Sequence, residues 1–261
     1  MKIAVIIGAL ALAFNGCSTN GSTLNTGKDE NGNIREVEAS GKISTKTENL
    51  AKFDKTKTGI VAEIVFVQDK TGVSKIEVKG NDNLLDIVKY EVRNGTLHID
   101  KKKGYKVRGK VDLIVTVTGA SLTELNNDGV GNVTIKSLDT PSFKLDSDGV
   151  GSCELGTIKA GYFEVESDGV GSTEIDKLTA RNVKIDNSGV GSVSVSGTAD
   201  NAVLVNSGVG SIEAGGLKCK TVDADCSGVG SIDCYASVKA TYKRGGVGSV
   251  EIGGSGEKIK K

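Results

Sequence analysis

One short phrase, Gly-Val-Gly, recurs through the second half of the chain. The copies begin at Gly129, Gly149, Gly169, Gly189, Gly208, Gly228 and Gly246. Each copy follows the previous one after about 20 residues, and a fixed period of this kind indicates that one small structural unit is stacked on copies of itself. The repeat therefore restricts the chain to a stacked architecture.

Apolar residues alternate with polar ones on both sides of each phrase. Phe143 and Leu145 precede Gly149 by six and four residues, and Cys153 and Leu155 follow it by four and six. This period of two is typical of short strands with one buried face. The sequence thus predicts an all-β fold, a single β-solenoid with coils of about 20 residues, expected to be a right-handed β-helix. Seven coils would form a rod roughly 34 Å long.

The glycines of the phrase are predicted to form the corner of each coil. Glycine adopts the positive φ angles that a sharp turn requires without a steric clash at Cβ. The predicted corner residues are Gly129, Gly131, Gly149, Gly151, Gly169, Gly171, Gly189, Gly191, Gly208, Gly210, Gly228, Gly230, Gly246 and Gly248.

The valine of the phrase has two alternative positions. If the alternation continues through the corner, both glycines point inward and the valine points outward. The valines would then form an exposed apolar stripe, which marks a contact surface for self-association or for a partner. Alternatively, the corner turns the valines into the core. The valines concerned are Val130, Val150, Val170, Val190, Val209, Val229 and Val247.

The N-terminus predicts export and lipid attachment. Lys2 precedes an apolar stretch too short to span a bilayer, and this arrangement is typical of an export signal. The letters FNGC resemble a loose bacterial lipobox, so residues 1–17 are predicted to be a lipoprotein signal peptide with Cys17 as the lipidation site. An ordinary secretory signal is the alternative. The expected location is the cell envelope, at the outer membrane of a diderm bacterium.

The rest of the chain divides into three segments. Residues 18–36 lack regular apolar spacing and predict a flexible tether. Residues 37–125 alternate without an exact repeat and predict irregular N-terminal coils that cap the solenoid. Within them, Arg93–Gly95 predicts a hairpin turn and Asn81–Val88 a helical turn. Residues 126–261 hold the Gly-Val-Gly coils of the same domain.

The chain also resembles a known family. The segment FDKTKTGIVAEIVFVQDKTGVSKIEVKGNDNLLDIVKYEVRNGTLHI is followed by rungs of Ser/Asp-Gly-x-Gly-Ser type and by a final GGVGSVEIGGSGEKIKK. These features resemble the auto-transporter adhesin "head GIN" domain family over residues 36–261. The resemblance implies a β-solenoid with an adhesive role, and it supplies no catalytic residues. The chain departs from the more common Gly-Ser-Gly by having valine in every phrase.

Candidate catalytic and metal-binding residues are few. His98 is the single histidine, which excludes a multi-histidine metal site, and its strand context favours a solvated position. Asp128, Asp148 and Asp168 each precede a corner glycine and would stack on adjacent rungs. They could form a weak calcium ladder, although turn formation is the simpler interpretation. We therefore expect no enzyme activity, cofactor or metal; a carbohydrate-active β-helix enzyme is the alternative.

Polar and sulfur-containing side chains have structural interpretations. A ladder of small polar residues bonding along the stack is predicted at Asn127, Ser147, Ser167, Asn187 and Asn206. Free buried thiols are expected at Cys153, Cys219, Cys226 and Cys234, although a disulfide among the last three is the alternative.

Charge and composition limit the expected partners. The chain has 33 basic and 33 acidic residues, so its overall charge does not favour binding to nucleic acid. The basic run from Lys101 to Lys110 is interpreted as a solvated strand edge. The expected partners are the membrane, through the lipid anchor, and an unknown macromolecule of the envelope or of another surface. A spacer or assembly scaffold without a ligand is a further alternative.

Overall fold

A computed structural model describes residues 32–261 of the 261-residue chain. The predicted signal peptide, the lipidation site Cys17 and most of the predicted tether lie outside the described residues. Those predictions therefore stay predictions. The described part is built almost entirely of β-strands and contains a single 3-10 turn, Leu85–Ile87.

The repeats form a stack of long, bent strands joined by the glycine corners. We number the strands in chain order. The last nine strands are β10 (Glu124–Asn127), β11 (Val133–Ser147), β12 (Cys153–Ser167), β13 (Thr173–Asn187), β14 (Val193–Asn206), β15 (Val209–Cys226), β16 (Val229–Arg244), β17 (Val247–Gly253) and β18 (Glu257–Lys260). Each strand from β11 to β16 pairs in parallel with the next one along the chain, and β17 and β18 both pair with β16. The chain is thus a β-solenoid, as the repeat predicts.

The register brings equivalent residues of successive repeats together. Phe143 lies beside Phe163, which lies beside Val183, and Leu155 lies beside Ile175. The side chains predicted to point inward are buried in one continuous core from the cap to β16. In the last rung Val250 and Ile252 are only partly buried, because no further strand pairs with β17 beyond them in the described residues. The period of two therefore identified the buried face correctly.

Nine shorter strands precede the regular stack. They are β1 (Arg35–Glu38), β2 (Ile43–Asn49), β3 (Lys55–Thr58), β4 (Glu63–Gln68), β5 (Lys75–Asn81), β6 (Val88–Arg93), β7 (Thr96–Lys101), β8 (Tyr105–Arg108) and β9 (Leu113–Gly119). Strand β1 begins at Arg35, inside the segment that the sequence assigned to a tether. It pairs with β8 in a separate two-stranded sheet.

The first rungs are not stacked in chain order. Strands β3 and β4 form one rung, which pairs with β10 and β11 on one side. On its other side this rung pairs with β7 and β9, although both of these strands come later in the chain. The rung formed by residues 55–68 is therefore inserted between two rungs that follow it in sequence.

Antiparallel strands cover the N-terminal end of the stack. Strand β6 pairs antiparallel with β7, and β5 pairs antiparallel with β9 and with β2. The predicted hairpin turn joins β6 to β7, with positive φ at Asn94 and Gly95. The predicted helical turn is the 3-10 turn before β6. Pairing of this kind occupies backbone groups that would otherwise form an open sheet edge.

Candidate functional site

The first glycine of each corner is required by close approach between rungs. A Cβ atom placed on Gly149 would lie 2.1 Å from the carbonyl oxygen of Gly129 on the preceding rung. The same contact recurs at 2.1 Å between Gly169 and the oxygen of Gly149. Any larger residue would push adjacent rungs apart, although the backbone at these positions is not in the left-handed region.

The second glycine of the corner has the unusual backbone conformation. Its φ angle is positive, for example 142° at Gly151 and 148° at Gly171. The positive φ angle that predicts glycine at the corner is therefore found at the second position. At the first position, in rungs such as Gly149, glycine is required because there is no space for a Cβ atom. In the last rung the pattern is reversed, because Gly246 has a φ of 59° and Gly248 does not have a positive φ.

The valine between the two glycines points outward, in the first of the two orientations considered above. Val150 is 49% exposed and Val190 is 52% exposed, whereas Val130 is half-buried beside the cap. Successive valines are joined by parallel bridges from one rung to the next. The row therefore repeats at the strand spacing of about 4.8 Å along the rod.

The row contains one valine that the repeat did not identify. Val61, at the corner of the rung formed by β3 and β4, pairs with Val130 and is 45% exposed. Its neighbours are Ile60 and Ala62 rather than glycines, so a search for Gly-Val-Gly does not find it. Its spacing from the next buried residue could have identified it, because Val61 precedes the inward-pointing Ile64 by three residues, just as Val130 precedes Val133. We call the following eight residues the valine row: Val61, Val130, Val150, Val170, Val190, Val209, Val229 and Val247.

A shallow groove of about 480 Å³ runs beside the valine row on the five rungs farthest from the cap. Its floor is formed by the first corner glycines, such as Gly189 and Gly208, which have no side chain to fill it. The valines form one wall, and the residues that precede the first glycine form the other, from Asp168 to Ser227. The corner thus presents an apolar ridge and a parallel groove on one outer surface.

From Asp168 towards the cap, the groove wall continues as a line of three carboxylates, Asp168, Asp148 and Asp128. The sequence predicted that these residues stack on adjacent rungs. Lys57 lies 2.9 Å from Asp128, and the Ser188 hydroxyl donates a hydrogen bond to Asp168. Between them, partial desolvation and then the charges of Asp168 and Asp128 raise the pKa of Asp148. The three carboxylates therefore repel one another electrostatically, and their outer members are bound by a lysine and a serine. Among the described residues, no group of three or more histidine, cysteine or acidic side chains is arranged to hold a metal ion.

All five residues of the predicted polar ladder are buried inside the corner. The predicted bonding along the stack is seen at Asn187 and Asn206, whereas Asn127 and Ser147 bond within their own rung, to Gly129 and Cys153. Asn187 donates a hydrogen bond to the side-chain oxygen of Asn206 on the next rung, at 3.2 Å. Each of these two asparagines also donates to a carbonyl of its own corner, Asn187 to Gly191 at 3.1 Å and Asn206 to Gly210 at 2.8 Å. These side chains satisfy backbone oxygens that the turn leaves in the core, so their role is structural.

The remaining candidate residues lie elsewhere. His98 is half-buried on the outer side of β7, beside Glu91 and Lys57 on neighbouring strands. Lys106 and Arg108, from the basic run, bind Glu36 on the outer surface of the separate sheet.

Four cysteines within the described residues are free and buried, namely Cys153, Cys219, Cys226 and Cys234. Burial raises the pKa of Cys219 to about 11. For Cys234, burial is the main cause of a pKa of about 12. The alternative of a disulfide among the last three is therefore not found, and these side chains act as small apolar core residues.

Among the described residues, no helix is both long and apolar enough to cross a membrane.

Comparisons with known proteins give the same fold. Three solved structures overlap most of the chain. A crystal structure described as a putative adhesin from Bacteroides fragilis is 30% identical, with a TM-score of 0.68, over 86% of this chain and 96% of that chain. A putative lipid binding protein from Parabacteroides distasonis is 24% identical with a TM-score of 0.72, covering 87% of this chain and 100% of that chain. A putative adhesin from Parabacteroides merdae is 20% identical with a TM-score of 0.71, covering 87% and 97%. No curated protein matches the sequence.

The family assignment rests on a sequence model as well as on these structures. The model described as "Putative auto-transporter adhesin, head GIN domain" matches residues 52–256, which include the inserted rung, strands β10 to β17 and every corner of the valine row. The chain therefore belongs to the auto-transporter adhesin head GIN domain family.

Proposed function

We propose that this protein is a non-catalytic interaction module of the cell envelope, anchored by lipid at Cys17, whose contact surface is the valine row. In this proposal the solenoid is a rigid rod that presents one apolar edge to a macromolecular partner. The family description and the Bacteroides fragilis relative both carry the word adhesin, which agrees with a binding role.

The observation that carries the proposal is the outward position of one apolar residue at the same corner of eight rungs. The exposed valines of this row add little to the core, because their side chains point away from it. At the other outward positions of the stack from β11 to β16, apolar residues such as Val203 and Val238 occur singly, whereas at the cap exposed Ile43 and Ile114 lie near Val61 and extend the apolar surface of the row. A continuous exposed apolar row on a soluble domain is typical of an interaction site.

A catalytic role receives less support from the same surface. Of the three aligned carboxylates only Asp168 borders the groove, since Asp148 and Asp128 continue the same line towards the cap, and Asp128 and Asp168 are engaged by Lys57 and Ser188. A glycoside hydrolase instead needs two carboxyl groups that flank the scissile bond from opposite sides. The groove is also shallow, whereas catalytic sites are commonly deep enough to exclude water.

The test is capture of envelope components by the purified chain from Ser18. The variant Val150→Ser, Val170→Ser, Val190→Ser removes exposed methyl groups from three rungs without touching the core. We expect it to lose the captured partner while its melting temperature stays within about 2 °C of the wild type. Equal capture by the wild type and this variant would overturn the valine row as the contact surface.

A matched control uses exposed valines outside the row. The variant Val73→Ser, Val203→Ser, Val238→Ser changes three side chains that are 41%, 43% and 60% exposed. It should retain the captured partner, since these residues lie apart from the corner. Loss of capture in both variants would indicate that general surface hydrophobicity, and not the row, is responsible.

The lipid anchor has a separate test. Cys17→Ser should give an unprocessed or released protein, because the cysteine supplies the sulfur that carries the lipid. Fractionation of cells expressing the variant measures this directly. Normal maturation and membrane partition of the variant would refute lipidation at Cys17.

A further inference from the structure

We infer that the partner of the valine row is a second copy of this chain, bound side by side and parallel about a twofold axis along the rod. This inference rests on the proposed function, because it takes the same surface and names its occupant.

The corner surface is complementary to itself. The ridge of Val170, Val190 and Val209 lies directly beside the groove whose floor is formed by the first corner glycines. A twofold axis along the rod, placed between ridge and groove, brings the ridge of each copy over the groove of the other. A single axis therefore fills both grooves and buries both ridges, which is the isologous contact expected of a symmetric dimer.

The repeat along the rod selects a partner with the same spacing. Equivalent valines follow one another at about 4.8 Å, the distance between adjacent strands. An α-helix advances by about 5.4 Å per turn, so its side chains soon fall out of step with such a row. A second stack of the same rungs stays in step over its whole length, because a twofold axis along the rod leaves every rung at its own height.

The charges permit this pairing. In the parallel arrangement the outer groove wall of one copy, which includes Asp168, lies opposite the second corner glycines of the other copy, next to the row that follows these glycines. That row consists of Asn132, Ser152, Ser172, Ser192, Ser211, Ser231 and Ser249. Each carboxylate therefore lies beside a hydroxyl or amide group that can donate a hydrogen bond, and the residue directly opposite it is an uncharged glycine. The parallel direction also directs both N-termini towards the same membrane.

The size of the surface predicts a weak dimer. Five rungs span about 24 Å, and a ridge and groove about 15 Å wide give less than about 400 Å² per copy. Stable interfaces bury about 800 Å² per partner, so we expect dissociation constants in the micromolar to millimolar range. Attachment of both copies to one membrane would raise their effective concentration and favour the pair.

The first experiment is sedimentation equilibrium of the purified chain from Ser18, without any other component, from about 10 µM to about 1 mM. The wild type should shift from monomer to dimer across this range. The variant Val190→Ser, Val209→Ser, Val229→Ser should weaken dimerisation by about tenfold or more. Ser207→Tyr places a ring in the groove from an exposed wall position and should have the same effect without changing the ridge. Monomeric wild-type protein at the highest concentration would overturn the inference.

The second experiment determines the direction of pairing. Val170→Cys and Val247→Cys, at the two ends of the groove, are made separately and treated with a short thiol cross-linker. In a parallel pair each variant cross-links to itself, whereas in an antiparallel pair cross-linking needs a mixture of the two. The chain without these substitutions serves as control, since its four described cysteines are buried and their pKa values are raised.

These results separate the inference from the proposed function. A wild-type monomer that still captures an envelope component through the valine row would refute the second copy and retain the proposed function. Dimerisation that responds to the valine variants, without capture of any other component through the valine row, would support the second copy as its occupant.

Discussion

Replacement of Gly149 by alanine separates the two reasons for glycine at the corner. Gly149 does not have a positive φ, so alanine is allowed by the backbone and the cost arises from space alone. Its Cβ would lie 2.1 Å from the carbonyl oxygen of Gly129, whereas ordinary contacts begin at 3.4 Å. The rungs would therefore have to separate locally by about 1 Å to restore a van der Waals distance.

Two inter-rung hydrogen bonds resist that separation. Val150 donates to the Gly129 oxygen at 2.9 Å, and Gly149 donates to the Asn127 oxygen at 2.9 Å. Lengthening both by about 1 Å forfeits about 1 kcal/mol each and leaves polar groups at the corner unsatisfied, so the total cost is about 3–5 kcal/mol. For a domain of this size we expect the melting temperature to fall by about 10 °C.

Thermal unfolding followed by circular dichroism measures the effect. Gly41→Ala is the matched control, because Gly41 has no positive φ and a Cβ there would meet nothing within 4 Å. The control should change stability by less than about 0.5 kcal/mol. A melting temperature for Gly149→Ala within about 2 °C of the wild type would refute the spatial requirement.

Two further predictions concern the inner and outer faces of the rungs. Leu155→Asp buries a charge without a partner and should lower the free energy of unfolding by several kcal/mol. Lys159→Asp on the outer face should change it by less than about 0.5 kcal/mol. Equal shifts of the melting temperature in the two variants would contradict the register. Burial and then the charge of Asp148 raise the pKa of Asp146 to about 6, above its ordinary 3.8. A raised carboxyl pKa favours folding at low pH, and the benefit is lost as pH rises through about 6. After allowance for screening by solvent, Asp146→Asn should be more stable than the wild type by about 1 kcal/mol at pH 7.5 and equal to it near pH 4; a difference independent of pH would disprove this linkage.

The sequence was sufficient to predict the regular stack because its information there is local. Phe163, Val165 and the corner glycines repeat at one period, and a period of two assigns each residue to a face without knowledge of distant contacts. The outward direction of Val150 followed from the same count, although the count alone left the alternative of a rotated corner open.

The inserted rung could not be predicted in the same way. Lys55 pairs with Thr96 on one side and with Glu124 on the other, and neither pairing is encoded in a repeat. Val61 was missed for the same reason, since Ile60 and Ala62 replace the glycines that mark the other corners. The start of β1 at Arg35 depends on pairing with Tyr105, a partner far along the chain.

The insertion of residues 55–68 between later rungs imposes an order on folding. During synthesis the N-terminal part of a chain emerges first, but β3 and β4 have no parallel neighbours until β7, β9 and β11 have also emerged. The local contacts between successive Gly-Val-Gly rungs close much shorter loops and are expected to form faster. The regular stack can therefore serve as the template on which the earlier segment is later completed, so the solenoid is expected to assemble from its C-terminal rungs towards its N-terminal cap.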